Sequence, residues 1–343
     1  MTDGKAMSSS HGYIRLSSKR ELCDWVKYLA ALAVVNGHLF LFGPYDGEFI
    51  RFMNIGSCCV ALFFFFSGYG LMCSYAAKGA SYLRSFFRHR VGRLVVPLIV
   101  AYAVTLPVYY MVKGPVDWRL VITTLPWGGP YLRYSWFVTE IMAVYALFYL
   151  AMKLKGEINR KVLILSLLVF ALMAALFALR LPVWWIISLP GFVMGLIFQR
   201  YEDLFSRYFS KGALLAFILV SGALWFCTWQ WGLVGRGLLP QYRYEVAAMF
   251  LSNMFFVSLI CGLISMTGFI PPYCPVIGSY YEVYLLQSCA FAISFCLAES
   301  FPSYWIASMA IVMAIGFIQY KLDRRLSGLL DARLVLQKSG DGR

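Results

Sequence analysis

The sequence predicts an all-α polytopic membrane protein: a bundle of about ten transmembrane helices with both termini in the cytoplasm. Three observations carry this. Of 343 residues, 61% are hydrophobic and 13% charged, with a mean hydropathy of +0.71; a soluble chain has roughly a quarter of its residues charged. Ten apolar stretches recur, each near the ~20 residues a helix needs to cross hydrocarbon. Finally, Lys and Arg are unevenly shared between alternate loops. With the N-terminus inside, 22 of the 30 fall on the cytoplasmic side and 7 outside, with Lys27 in the first span. Cytoplasmic loops are the ones enriched in such residues. The formal net charge of +14 is therefore read as topology. No aromatic–basic module points to nucleic acid.

The stretches cover residues 24–42, 53–77, 91–112, 134–152, 162–179, 183–199, 212–231, 245–269, 277–296 and 303–320. Arg180 and Pro182 split the fifth from the sixth, which also reads as one broken helix. Residues 1–22 are expected to be a disordered cytoplasmic tail, 23–321 the transmembrane domain and 322–343 a basic cytoplasmic tail. Asn36 and His38 in the first apolar run, with no small-residue cleavage site after it, argue against a cleavable signal peptide. The nine cysteines include no Cys-x-x-Cys and no Cys/His metal spacing, so neither a disulfide framework nor a metal site is expected.

An ionisable residue inside an apolar span is costly and points to function. The first span carries Asp24, Lys27, Asn36 and His38. Asp24 and Lys27, three apart, can pair. Lys27 and His38, eleven apart, share a helix face ~16 Å apart along the axis. Lys27 also fits a snorkelling interface lysine, and His38 a polar contact between helices. Imidazole is nevertheless the side chain suited to proton transfer near neutral pH. In the second span, Phe63 to Phe66 run into Ser67, Gly68 and Tyr69, a pattern that close helix packing explains on its own. At the third, Arg88, Arg90 and Arg93 precede Leu94 and Pro97; Arg90 and Arg93 share a face if the helix is regular, and guanidinium forks suit phosphate. The fourth opens with Trp136 and Phe137 and carries Glu140. The ninth runs Ser279, Tyr280, Tyr281, Glu282, Tyr284 and Gln287, with Glu282 its one charge. Either carboxylate also fits a structural partner of another helix.

Together these stretches resemble the acyltransferase-3 family of integral-membrane O-acyltransferases. Its marks are a basic residue ten positions short of a histidine, a Phe-rich run ending Ser-Gly-Tyr/Phe, Arg-x-x-Arg-Leu-x-x-Pro, a Trp-Phe/Leu helix entry, and a late Ser-Tyr-x-x-Tyr-Leu-x-His. Two departures stand out. Lys27 replaces the commoner arginine, and Gln287 stands where histidine is usual, so a second imidazole cannot be invoked. The resemblance implies transfer of an acyl group, usually acetyl, from cytosolic acyl-CoA to a hydroxyl of an extracytoplasmic or lipid-linked sugar, in a bacterial inner membrane. Lys27, Arg88, Arg90 and Arg93 would hold the coenzyme's phosphates. His38 would be general base or acyl carrier, oriented by Glu140 or Glu282. The partners expected are the bilayer, acyl-CoA and the glycan acceptor, with oligomeric state left open. The rival reading is a transporter or flippase with His38, Glu140 and Glu282 as a proton relay; no internal repeat supports it.

Overall fold

The computed structural model describes residues 15–42, 55–234, 241–298 and 300–340; residues 1–14 of the expected tail and residues 53 and 54 of the second apolar stretch lie outside the described residues. Ten long helices follow one another: α1 Arg20–Phe42, α2 Gly56–Lys78, α3 Gly92–Lys113, α4 Trp136–Lys153, α5 Ile158–Ala178, α6 Leu189–Tyr208, α7 Lys211–Val234, α8 Gln241–Met266, α9 Tyr280–Leu297 and α10 Phe301–Gly340. Among the described residues there is no strand, and nine helical segments are long and apolar enough to cross a bilayer. α1 is not one of the nine, although its 23 residues give a length of ~35 Å at the helical rise. Its first turns hold Arg20, Glu21, Asp24 and Lys27. The fifth and sixth spans are separate helices: Arg180 takes a positive φ of 52°, and a short 3-10 turn at Val183–Trp185 precedes α6.

Within the stretch 1–22 expected as a tail, a 3-10 turn occupies Leu16–Ser18 and α1 starts at Arg20. Leu16 and Lys19 are each 1% exposed. The signal was too local to read: one apolar residue and one lysine in a Ser-rich stretch. At the other end, α10 continues as one helix past residue 321 to Gly340.

The described residues fall into two units, one of those within 1–27, 57–84 and 144–273, the other of those within 28–56, 85–143 and 274–343. In the first, α2 and α6 meet along glycines. A Cβ on Gly68 would lie 2.2 Å from the Phe192 carbonyl oxygen, and one on Gly191 2.2 Å from that of Ala61. Small residues let backbones approach this closely where no hydrophobic force draws helices together in lipid. The Ser67–Gly68 pattern thus serves packing. Around this seam the N-terminal segment is fastened. Glu202 accepts from the Leu16 N–H and the Tyr69 hydroxyl, each at 2.7 Å. The Lys19 ammonium donates to the carbonyls of Ile264, Ser265 and Thr267, capping the C-terminus of α8, where carbonyls lack intrahelical partners. Burial lowers the Lys19 pKa from 10.5 to about 8.

In the second unit α9 packs against α3 and α10. Tyr281 donates its hydroxyl to the Leu94 carbonyl at 3.0 Å, and Gln319 of α10 donates to the Pro97 carbonyl at 2.7 Å. The Trp305 indole N–H reaches Asn36 Oδ1 at 2.8 Å, which ties α10 to the C-terminal half of α1. These bonds set the depth of α1, α3 and α9 relative to one another within the unit.

Candidate active site

His38 is half-buried on α1. Its Nδ1 lies 2.7 Å from Gln287 Oε1 on α9, 249 positions away in sequence. The Gln287 amide has only one way to face. Its Nε2 donates to the Tyr284 carbonyl at 2.8 Å, and a carbonyl only accepts. The amide oxygen must therefore face the imidazole, so Nδ1 carries the proton and donates it. Nε2 is left as the nitrogen with the lone pair. Gln287 is 0% exposed, so its amide is shielded from water on its own side of this part-buried bond.

The plane of the ring is fixed as well. The Tyr134 ring stacks on the imidazole with centroids 3.8 Å apart and planes 13° from parallel. Tyr134 is positioned through its backbone, where its carbonyl accepts the Tyr284 hydroxyl at 3.0 Å. Tyr284 in turn lies against Phe137, centroids 5.3 Å apart. One tyrosine on α9 thus braces both the residue that holds the imidazole nitrogen and the residue that holds its face. The arrangement can take a proton at Nε2 or attack through it.

The two carboxylates expected to orient His38 are not the groups on Nδ1; an amide is. Glu140 is 2% exposed, and neither of its oxygens has a hydrogen-bond partner among the described residues. Its electrostatic neighbour is Tyr284. Glu282, 5% exposed, has one oxygen without a partner and lies within electrostatic reach of Asp323. Asp323 accepts from Gln319 at 3.3 Å. Asp323 and Gln319 were missed from sequence because they sit where the last span runs into basic residues, which reads as its end.

Of the proposed phosphate ligands, Arg88 and Arg90 fall in a π-helical turn, Phe87–Val91, and Arg93 in the first turn of α3. Arg88 and Arg93 are exposed and Arg90 half-buried. The shared-face expectation assumed regular α geometry, whereas Arg90 lies in the wider turn and Arg93 in the α-helix that follows it. Lys27 belongs to the other unit and grips Asp24 at 2.5 Å, the pairing its spacing allowed, with its ammonium 5.8 Å from the Phe66 ring. Among the described residues, no three His, Cys, Asp or Glu gather as a metal ion would need.

Nine segments long and apolar enough to cross a bilayer, with no strand among the described residues, define a class: polytopic helical membrane proteins. The chain belongs to the acyltransferase-3 family, whose acyltransferase domain matches residues 23–321. It is a multi-pass membrane acyltransferase. No curated protein and no solved structure matches the chain.

Proposed function

We propose that this acyltransferase moves an acyl group, acetyl in the simplest case, from cytosolic acyl-CoA to a hydroxyl of an extracytoplasmic or lipid-linked sugar. The single observation that supports the chemistry is the amide-held imidazole of His38. The distribution of Lys and Arg supports the orientation, with both termini cytoplasmic and His38 toward the outer face of a bacterial inner membrane. Arg88, Arg90 and Arg93 take the coenzyme's phosphates at the cytoplasmic end of α3, as guanidinium groups do. Lys27, its charge shared with Asp24, is left out of that role. The acyl arm then runs toward His38.

His38 acts as general base. The acceptor hydroxyl gives its proton to Nε2 as its oxygen bonds to the thioester carbonyl carbon. The carbon–sulfur bond breaks, and the imidazolium returns the proton to the departing thiolate. Acyl-CoA and alcohol become ester and free coenzyme thiol, with the imidazole regenerated.

The test is label transfer from radiolabelled acetyl-CoA to lipid and glycan extracts by the protein in proteoliposomes. His38→Ala, shown folded by its elution profile and melting temperature, should lose transfer by a factor of at least ~100, the lower range for general base catalysis. Transfer at the wild-type rate would sink the mechanism. Parallel lines in the two-substrate kinetics would replace the base with an acyl-histidine carrier.

A further inference from the structure

The unit built around α2 and α6 holds a cavity of about 260 Å³ among α2, α6, α7 and α8. Its walls are nearly all carbon, with Phe65 from α2, Phe198 and Phe205 from α6 and Phe217 from α7. Phe198 stacks on Phe205 at 5.2 Å between centroids. α8 faces it with Ser258, Cys261 and Ser265, spaced at helical intervals over seven residues, or ~10 Å. The space is a slot along the helices. An apolar cavity of ~150 Å³ takes a benzene ring, so this one has room for a longer run of carbon.

Two observations say what the polar end of the occupant is. Ser265 lines the slot and is 1% exposed, and its hydroxyl has no hydrogen-bond partner among the described residues. A buried donor left this way is costly, and an ester carbonyl would satisfy it. Ser265 sits one residue before α8 ends, at the end where α6 stops and α7 begins. The turn there carries exposed Arg207 and Lys211 on either side of Phe209, itself part of the wall. Cations at the ends of spans draw anionic headgroups. The neighbouring acids are already engaged: Asp203 pairs with Arg15 at 2.6 Å, and Glu202 holds Leu16 and Tyr69.

We propose that the slot is a lipid site. One acyl chain of an anionic phospholipid, from the leaflet at the α6–α7 turn, fills it; the ester carbonyl accepts from Ser265, and the headgroup meets Arg207 and Lys211. This stands apart from the transfer chemistry.

The experiment places the full chain in nanodiscs with a diazirine-bearing phosphatidylglycerol and maps the photolabelled peptides by mass spectrometry. Label should concentrate in residues 194–217 and 258–265, saturate, and be competed better by unlabelled phosphatidylglycerol than by phosphatidylcholine. Ser258→Phe with Ser265→Leu fills the slot and should cut that label about tenfold, leaving label on other helices unchanged. Arg207→Ala with Lys211→Ala should abolish the preference for the anionic competitor. Label spread evenly over the helices and never saturating would overturn the site, and equal competition by both lipids would overturn the headgroup assignment. Saturation and competition are read on the unaltered protein, so a variant that fails to fold does not blunt the test.

Discussion

Replacing Gln287 with Leu removes the Nδ1 partner of His38 with little change in side-chain volume. The lost bond is 2.7 Å long and part-buried, with Gln287 itself 0% exposed. Without it the Nδ1–H has no acceptor from α9, a desolvation penalty of ~1–3 kcal/mol. The tautomer is also released, so the proton can settle on Nε2, the nitrogen the chemistry needs bare. Tyr134 still stacks on the ring, so its plane survives and the damage falls on the tautomer. At 1.36 kcal/mol per factor of ten, kcat should fall about 10- to 100-fold, the range seen when a group that orients a functional histidine is lost. The KM for acyl-CoA should not move, because the arginines proposed for its phosphates are on and before α3, away from Gln287. Gln287→His puts an imidazole acceptor back and should recover part of the loss. Single-turnover label transfer in proteoliposomes separates this from slow product release. Gln287→Leu keeping kcat within about twofold of wild type, in a protein that melts normally, would refute the claim that the amide sets the tautomer.

Two further predictions concern the ends of the helices. Arg90→Ala combined with Arg93→Ala should raise the KM for acyl-CoA more than the KM for the acceptor; equal effects in initial-rate measurements would remove the phosphate site from α3. Lys19 gives up its proton near pH 8 in the folded protein against 10.5 in the unfolded chain. Between those values the unfolded state binds more protons, so the cost of burying the charge is fully present below pH 8 and is relieved as pH rises. Thermal melts of wild type minus Lys19→Met should therefore show stability rising from pH 8 to 10 only in the wild type.

The fold was legible because bilayer hydrocarbon forces long apolar runs to be helices, and each of the ten runs became one. The site was legible only in part, for a physical reason. A polar residue in an apolar span announces its cost, so His38, Glu140 and Glu282 could be picked out. Its partner depends on which helix lies beside it, and His38 and Gln287 stand 249 positions apart, so no local pattern encodes that pairing. Gln287 therefore read as a missing histidine, whereas in the fold its amide supplies the acceptor. The clamp on the N-terminal segment was hidden similarly: Lys19 looks like any positive-inside lysine until its three carbonyl partners are in place.

Glu140 asks for a different kind of test. Burying a carboxyl at 2% exposure with neither oxygen hydrogen-bonded costs stability that packing alone would not repay. If the group serves only the fold, replacing it by an apolar side chain of similar size should be favourable and otherwise silent, as for other buried polar groups swapped for well-packed apolar ones. If its oxygens are held open for hydroxyl groups of the acceptor, the same change should stabilise the protein and impair it, the trade-off typical of functional sites. The position favours the second: Glu140 is within electrostatic reach of Tyr284, the residue that braces both Gln287 and Tyr134. Glu140→Met is expected to raise the melting temperature by a few degrees, the shift that ~1 kcal/mol gives in a protein this size. It should also raise the KM for the acceptor about tenfold with the KM for acyl-CoA unchanged, the cost of about one lost hydrogen bond to the substrate. A higher melting temperature with unaltered kinetics would take Glu140 out of the site, and a lower one would mean that the carboxyl has a partner in the folded protein and stabilises it.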